Sequence, residues 1–281
     1  MSIFNTKFLR LSTLGLVITT FISLSLTSCS DDDGPTFLPN LPANGGDNVR
    51  MITHSGRVMT CYDWKFIYGG KRLLNAVGQI RDPQSDVDKS YSYSSNLKYG
   101  FNSVRIENSN REPVSVSLNS EGYIGNMKVG RNTYNFIYDN NRLVAWFKTI
   151  FEDSFGQATQ YKTSASIKYT NNGDLEKIIV IGPDNQPVTT TFVPTNIENK
   201  NGLLPETVSD ELGCLGFEHL YYAGLLGLPT KNLVKSITVS YADEAKKGYT
   251  IDFEYGTEGN NITLCNYHTD TNEIASVRYD Y

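Results

Sequence analysis

Few residues in this chain have both the type and the spacing for chemistry. Cys29 stands in the stretch SLTSCSDDDGP (24–34), between an apolar run and three aspartates. A thiol is a nucleophile, and this one has a distinctive setting. The three histidines, His54, His219 and His268, are far apart, and none has the i, i+4 spacing of a helical metal pair. His268-Thr269-Asp270 could orient a base, but no nucleophile motif accompanies it. Asp82, Asp86 and Asp88 fall within one turn, as calcium ligands do, without the EF-hand spacing or its glycine. There is no GxSxG elbow, no P-loop and no GxGxxG after a strand. Cys61, Cys214 and Cys265 lack zinc spacing and are too few for a disulfide framework, so buried thiols are expected. The chain is thus expected to hold no metal and no cofactor and to have no catalytic residue.

The surroundings of Cys29 are those of an export signal. Lys7 and Arg10 give a positive start, and residues 11–26 are apolar for 16 residues, short of the roughly 20 a membrane-spanning helix needs. Leu26-Thr27-Ser28-Cys29 resembles the bacterial lipobox. The resemblance implies cleavage before Cys29 and acylation of its thiol and new amine. Several acyl chains hold a protein stably on a bilayer where one does not. Ser30 with Asp31, Asp32 and Asp33 resembles the export signal of surface lipoproteins of Bacteroidota, which implies an outer-membrane address facing outward. Residues 1–28 are therefore read as a signal peptide and 29–47 as an acidic, flexible tether rich in Pro and Gly.

Residues 48–281 remain as a single β domain. The formal charge of −5 becomes −7 once Lys7 and Arg10 are removed, and without basic clusters the domain is a poor partner for nucleic acid. Alternation dominates: Trp64, Phe66 and Tyr68 oppose Asp63 and Lys65, and Tyr249, Ile251, Phe253 and Tyr255 oppose Thr250, Asp252 and Glu254. Strands of this kind follow one another across Asn/Gly/Asp turns that favour tight hairpins. The pattern predicts an all-β fold: an antiparallel meander of about 13–15 strands, strongly curved or closed into a barrel-like sheet. CLGFEHLYYAGLLGLPTKN (214–232) breaks the rhythm and predicts one short helix near 216–226.

The hairpins FIYDNNRLVAW and YTNNGDLEKI, with YYAGLLGLPTKNLVKSI, resemble a Bacteroidota lipoprotein domain family of unknown function, described as having a porin-like fold. The resemblance implies no activity, substrate or site. Flat aromatics stack on sugar rings, so Trp146, Tyr221 and Tyr222 are the candidate ligand-binding residues, with Trp146 expected to be partly exposed on a face of mixed polarity. The expected function is a surface-exposed, non-catalytic lipoprotein whose partners are the membrane, through Cys29, and a glycan or protein ligand. Two other readings stay open. One is glycan capture. The other is an integral outer-membrane barrel, suggested by the alternating ASVRYDY at the C-terminus.

Overall fold

Alternating side chains need a buried face, and a long meander supplies one by curling until its first strand meets its last. A computed structural model describes residues 47–56, 61–81, 92–109, 111–154, 157–270 and 274–281. It is a closed antiparallel barrel of sixteen strands in simple neighbour order. The strands are β1 (Met51–Gly56), β2 (Cys61–Gly69), β3 (Arg72–Arg81), β4 (Ser92–Tyr99), β5 (Ser103–Asn108), β6 (Val114–Leu118), β7 (Ile124–Val129) and β8 (Asn132–Asp139). They continue as β9 (Arg142–Ser154), β10 (Gln157–Tyr169), β11 (Leu175–Ile181), β12 (Pro187–Glu198), β13 (Asn232–Tyr241), β14 (Tyr249–Glu258), β15 (Asn261–Thr269) and β16 (Ile274–Asp280). β1 pairs with β16 from Met51↔Asp280 to Gly56↔Ala275, so no sheet edge is left.

The expected hairpins are present. At β8–β9 the whole turn is Asn140–Asn141, both at positive φ (49° and 63°), the backbone that a tight two-residue hairpin requires. The strand count exceeds the expected one through the short β5, β6 and β7, whose five or six residues carry too few alternations to stand apart in sequence.

Trp64, Phe66, Ile106, Met127, Phe136, Ile178, Ile237 and Val277 point inward and are buried, while Lys65, Lys98, Arg105, Lys128, Lys168, Asp252, Glu254 and Arg278 point outward and are solvated. Across β2 and β3, Trp64 pairs with Gly78, and its ring covers the glycine so closely that a Cβ there would lie 2.8 Å from it.

The lumen is filled by the chain itself. Residues 199–231, between β12 and β13, fold back inside and carry α1 (Glu218–Tyr222), inside the span expected for a helix. Leu203, Leu204, Val208, Leu212, Cys214, Phe217, Leu220, Leu225 and Leu226 of this plug are buried in the core. Its backbone is tied around the wall. Ile124 N–H donates to the Leu225 carbonyl (2.9 Å), Leu228 N–H to that of Asn141 (2.7 Å), and Lys231 N–H to that of Gly173 (3.0 Å). Arg142 donates to the carbonyls of Leu228 and Pro229, and Arg111 to that of Gly216 (3.1 Å). Gly213, at φ +83°, passes close to β9: a Cβ there would sit 2.9 Å from Leu143.

Candidate functional site

The plug stops short of one end of the barrel. At the end where β1 begins, the turns are tight and the plug closes the lumen. At the other end β9 and β10 rise above it. Their inward side chains in register there are Lys148 with Thr163 and Ile150 with Tyr161. Lower on β10, Ile167 and Ala165 are 5% and 4% exposed, whereas Tyr161, also on the inward face, is 37% exposed. Four residues of strand span about 13 Å, so β9 and β10 project as a hairpin beyond the last β10–β11 pair, Ser164↔Ile181, at the open end.

The plug residues Asp210 and Glu211 form its floor. Asp210 keeps contact with solvent as a residue, while the protein around it strips bulk water from its carboxylate. Its carboxylate accepts from Gly216 N–H (2.9 Å) and faces Lys148, whose ammonium lies 6.0 Å over the ring of Tyr134. Burial raises the Asp210 carboxyl and lowers the Lys148 ammonium, each partly offset by the charge of the other. Glu211 is pushed up to about 7, first by burial and then by the charge of Asp210. Its own charge in turn raises the phenols of Tyr241 and Tyr249, on β13 and β14, for which burial is the larger cause.

Beneath the floor the plug buries two further polar side chains. Glu218 accepts from Ser209 Oγ (3.2 Å) through one oxygen, while its Oε2 has no hydrogen-bond partner among the described residues. Burial, and then the charge of Asp210, push its carboxyl up to about 7. His219 is wholly buried against Trp64 (ring centroids 5.4 Å) and Phe217 (6.0 Å), with neither ring nitrogen hydrogen-bonded among the described residues. Burial, aided by the charge of Arg111, brings it down to about 3, so it packs as a neutral ring.

A second polar set ties plug to wall. His54 lies between Asp63 (Nδ1···Oδ1 3.2 Å) and Glu206 of the plug (Nε2···Oε2 3.2 Å), and Tyr279 donates to Glu206 (2.7 Å). Glu206 also borders a cavity of ≈ 10 Å³, room for about one water, with Leu203, Leu204, Tyr255 and Tyr279. The set acts as a hydrogen-bonded strut. His268 stands on the outer face, 3.8 Å from Asp252 across β14–β15. Among the described residues no cluster of three or more His, Cys, Asp or Glu could hold a metal ion.

Of the aromatic residues singled out in the sequence, Trp146 lies elsewhere than expected, while Tyr221 and Tyr222 are in the helix that the sequence predicts. Trp146 is 2% exposed, not partly exposed, and its Nε1 donates to the Glu211 carbonyl (2.9 Å). A bulge opposite Ile137/Tyr138 turns both Leu143 and Trp146 inward. The mixed polarity around Trp146 belongs to a lumen that changes from dry at Trp146 to wet at Lys148. Tyr221 and Tyr222 are within the plug. Tyr221 donates to the Leu203 carbonyl (3.4 Å), and Tyr222 packs 5.0 Å from Phe66 and accepts from Leu204 N–H (3.4 Å). Cys214 and Cys265 are free and buried, and burial raises both thiols. Cys29, Ser30, Asp31, Asp32 and Asp33 and the Asp82/Asp86/Asp88 group lie outside the described residues. Sequence reasoning missed the open end, since Asp210 and Glu211 fall in an irregular segment. The one available signal was the length of the β9–β10 hairpin, thirteen residues in each strand against eight in β8.

No family model matches the chain, and no curated protein matches it either. Among solved structures it is similar to a porin-like protein from Bacteroides uniformis, at a TM-score of 0.64 and 16% identity, over 83% of this chain and 97% of that one. It is also similar to a porin-like protein from Bacteroides vulgatus, at a TM-score of 0.54 and 12% identity, over 84% of this chain and 99% of that one. At these identities the likeness is one of fold, and the fold is the porin-like barrel that the hairpin motifs led us to expect.

Proposed function

We propose that this chain is an outer-membrane lipoprotein, anchored through acylated Cys29 and displayed on the cell exterior, whose barrel stands in water as a non-catalytic binding module. One observation carries the reading: the barrel is inside out relative to a membrane pore. Its outward face bears Lys65, Lys98, Arg105, Lys128, Lys168, Asp252, Glu254 and Arg278. A Lys or Arg facing lipid near the midplane costs about 2–4 kcal/mol each, so a bilayer would not wet this wall. The lumen is plugged by residues 199–231, whose apolar side chains are part of the core. A protein that cannot span the membrane but carries a lipobox-like Leu26–Cys29 needs the anchor to stay there. β1 begins at the closed end, so the open end lies opposite Met51.

Every strand finds its partners within residues 51–280, so the barrel can be tested without its anchor. Residues 48–281 are expected to run as a folded, monodisperse species in detergent-free size-exclusion chromatography. Aggregation relieved only by detergent would overturn the water-standing barrel. In a Gram-negative host the full chain is expected in the membrane fraction and to be cut by protease added to whole cells. Cys29→Ala should release it. Replacing Asp31, Asp32 and Asp33 with Ala should leave it membrane-bound but protected. Membrane retention of Cys29→Ala would sink the anchor.

A further inference from the structure

We propose that this chain pairs with a second copy of itself through the free edge of β10, residues 157–163, in an antiparallel two-fold arrangement with Gln160 on the axis. The proposal goes beyond the reading of the barrel as a binding module and does not depend on it.

The argument comes from a comparison of three places where a strand outruns its neighbour. β12 passes its last β11 pair, Lys177↔Thr191, and runs on to Glu198. Pro194 lies in that run between register shifts, and the Thr195 hydroxyl accepts from the Ile197 N–H (3.0 Å). β9 passes its last β8 pair, Thr133↔Thr149. There the Asn132 side chain accepts from the Phe151 N–H (2.9 Å), and the Arg131 guanidinium lies 5.2 Å from the Phe151 ring centre. Proline, bulges and covering side chains are how sheets keep other strands off an edge. β10 passes its last β11 pair, Ser164↔Ile181, and continues for the seven residues 157–163 paired to β9 alone. That run has no proline and no register shift, and among the described residues no side chain caps its backbone. Every second residue in it turns N–H and C=O away from β9, a row about 23 Å long that is open to another strand.

The edge is complementary to itself. β11 blocks an incoming strand at Ser164, and β10 begins at Gln157. Full use of the edge therefore sets Gln157 of one copy against the partner's Thr163, and Gln160 against the partner's Gln160. Tyr161 then meets the partner's Thr159, an aromatic against a β-branched side chain, which favours antiparallel pairing. Lys162 is the one charge in the run, and it falls opposite position 158, an alanine, so no like charges meet. The contact covers Tyr161, which is 37% exposed in the single chain. Thr159, Tyr161 and Thr163 point inward in both copies, so the joined ribbon brings the two open ends mouth to mouth and points each Met51 end away.

The test is sedimentation of the detergent-solubilised full chain, with cross-linking by a short bismaleimide. At about 100 μM the wild type is expected at twice the protein mass of the monomer, returning to monomer on dilution as small interfaces do. Thr159→Lys with Tyr161→Lys sets like charges opposite one another at two places and should weaken the dimer at least about tenfold. Gln160→Cys, on the axis, should cross-link to itself. Lys65→Cys, equally exposed but on β2 across the barrel, should not. The wild type, with Cys214 and Cys265 buried, is the blank. Should the double-lysine variant fail to fold, the comparison of Gln160→Cys with Lys65→Cys carries the same test. A wild-type monomer at the highest concentration overturns the proposal, as does a dimer that tolerates both lysines or cross-links equally at positions 160 and 65. All of these are read in detergent, so they stand or fall apart from the anchoring and display tests above.

Discussion

Along β10 the inward side chains pass from dry to wet within a few residues. Ile167 and Ala165 are closed over by the plug, while Thr163, Tyr161 and Thr159 look into water. Strand and alternation are the same throughout, but β11 pairs with β10 only from Ser164 to Tyr169, so Thr163, Tyr161 and Thr159 have β9 alone beside them. What changes is whether β11 stands beside and residues 199–231 stand opposite. The lower lumen therefore behaves as a protein core, where Leu220 and His219 are wholly buried, and the upper lumen as a surface folded inward, where Asp210 keeps contact with solvent. The sheet positions both, and the plug decides which inward residues hold the fold together and which are free to meet a ligand.

Trp146 sits at the boundary and should show the largest effect. Trp146→Ala removes a buried indole and is expected to cost about 3–5 kcal/mol in denaturant unfolding. Trp146→Phe keeps most of the packing but leaves the Glu211 carbonyl without its donor, for about 1–3 kcal/mol. Equal costs would mean that packing alone fixes the floor. Gly213→Val comes next. It must place a side chain where φ is +83° and Leu143 is 2.9 Å from even a Cβ, at about 1–3 kcal/mol or more in the same measurement.

Acidity should separate the regions in a different way. Glu211 and Glu218 are held near 7, above the value of an unfolded glutamate, so the native state takes up protons that the unfolded chain does not. Their stabilising share is complete below the unfolded value and is lost as pH rises through 7. His219, held near 3, has the opposite sign: stability is lost as pH falls from 6.5 toward 3. Melting temperature should accordingly rise as pH falls from 8 through 7, keep rising at a shallower slope below 6.5, where two glutamates oppose one histidine, and turn only below the unfolded glutamate value of about 4.3. Glu218→Gln should reduce that upper slope. An unchanged slope in the variant would mean that Glu218 is solvated rather than buried in the plug.

The lower half was far more legible in sequence than the upper. Strict alternation in residues such as Tyr249–Tyr255 marked the buried faces, and Asn140–Asn141 marked a hairpin, because both are local consequences of backbone geometry. The 214–232 segment announced a helix, and α1 lies within it. That this segment enters the lumen is a long-range fact with no local signal. The misplacement of Trp146 follows from that. Alternation set it beside Lys148 correctly, but only the plug, through Glu211, distinguishes a covered Trp146 from a half-buried Lys148. Asp210 and Glu211 were silent for the same reason: acids in a polar loop become the floor of an open end only when a barrel surrounds them.

The smallest expected effect gives the cleanest test of the boundary. Tyr161→Ala removes an aromatic from an inward position, and on a uniformly packed lumen it would cost as much as a core truncation, about 3 kcal/mol or more. Above the plug the side chain is 37% exposed and faces Ile150 across the ladder, so the change should stay within about 0.5 kcal/mol. Ile167→Ala, six residues along the same face, should still cost about 2–5 kcal/mol. Similar losses for the two in urea unfolding would mean that the lumen is packed to its rim. A large difference would place the water line between Ala165 and Tyr161.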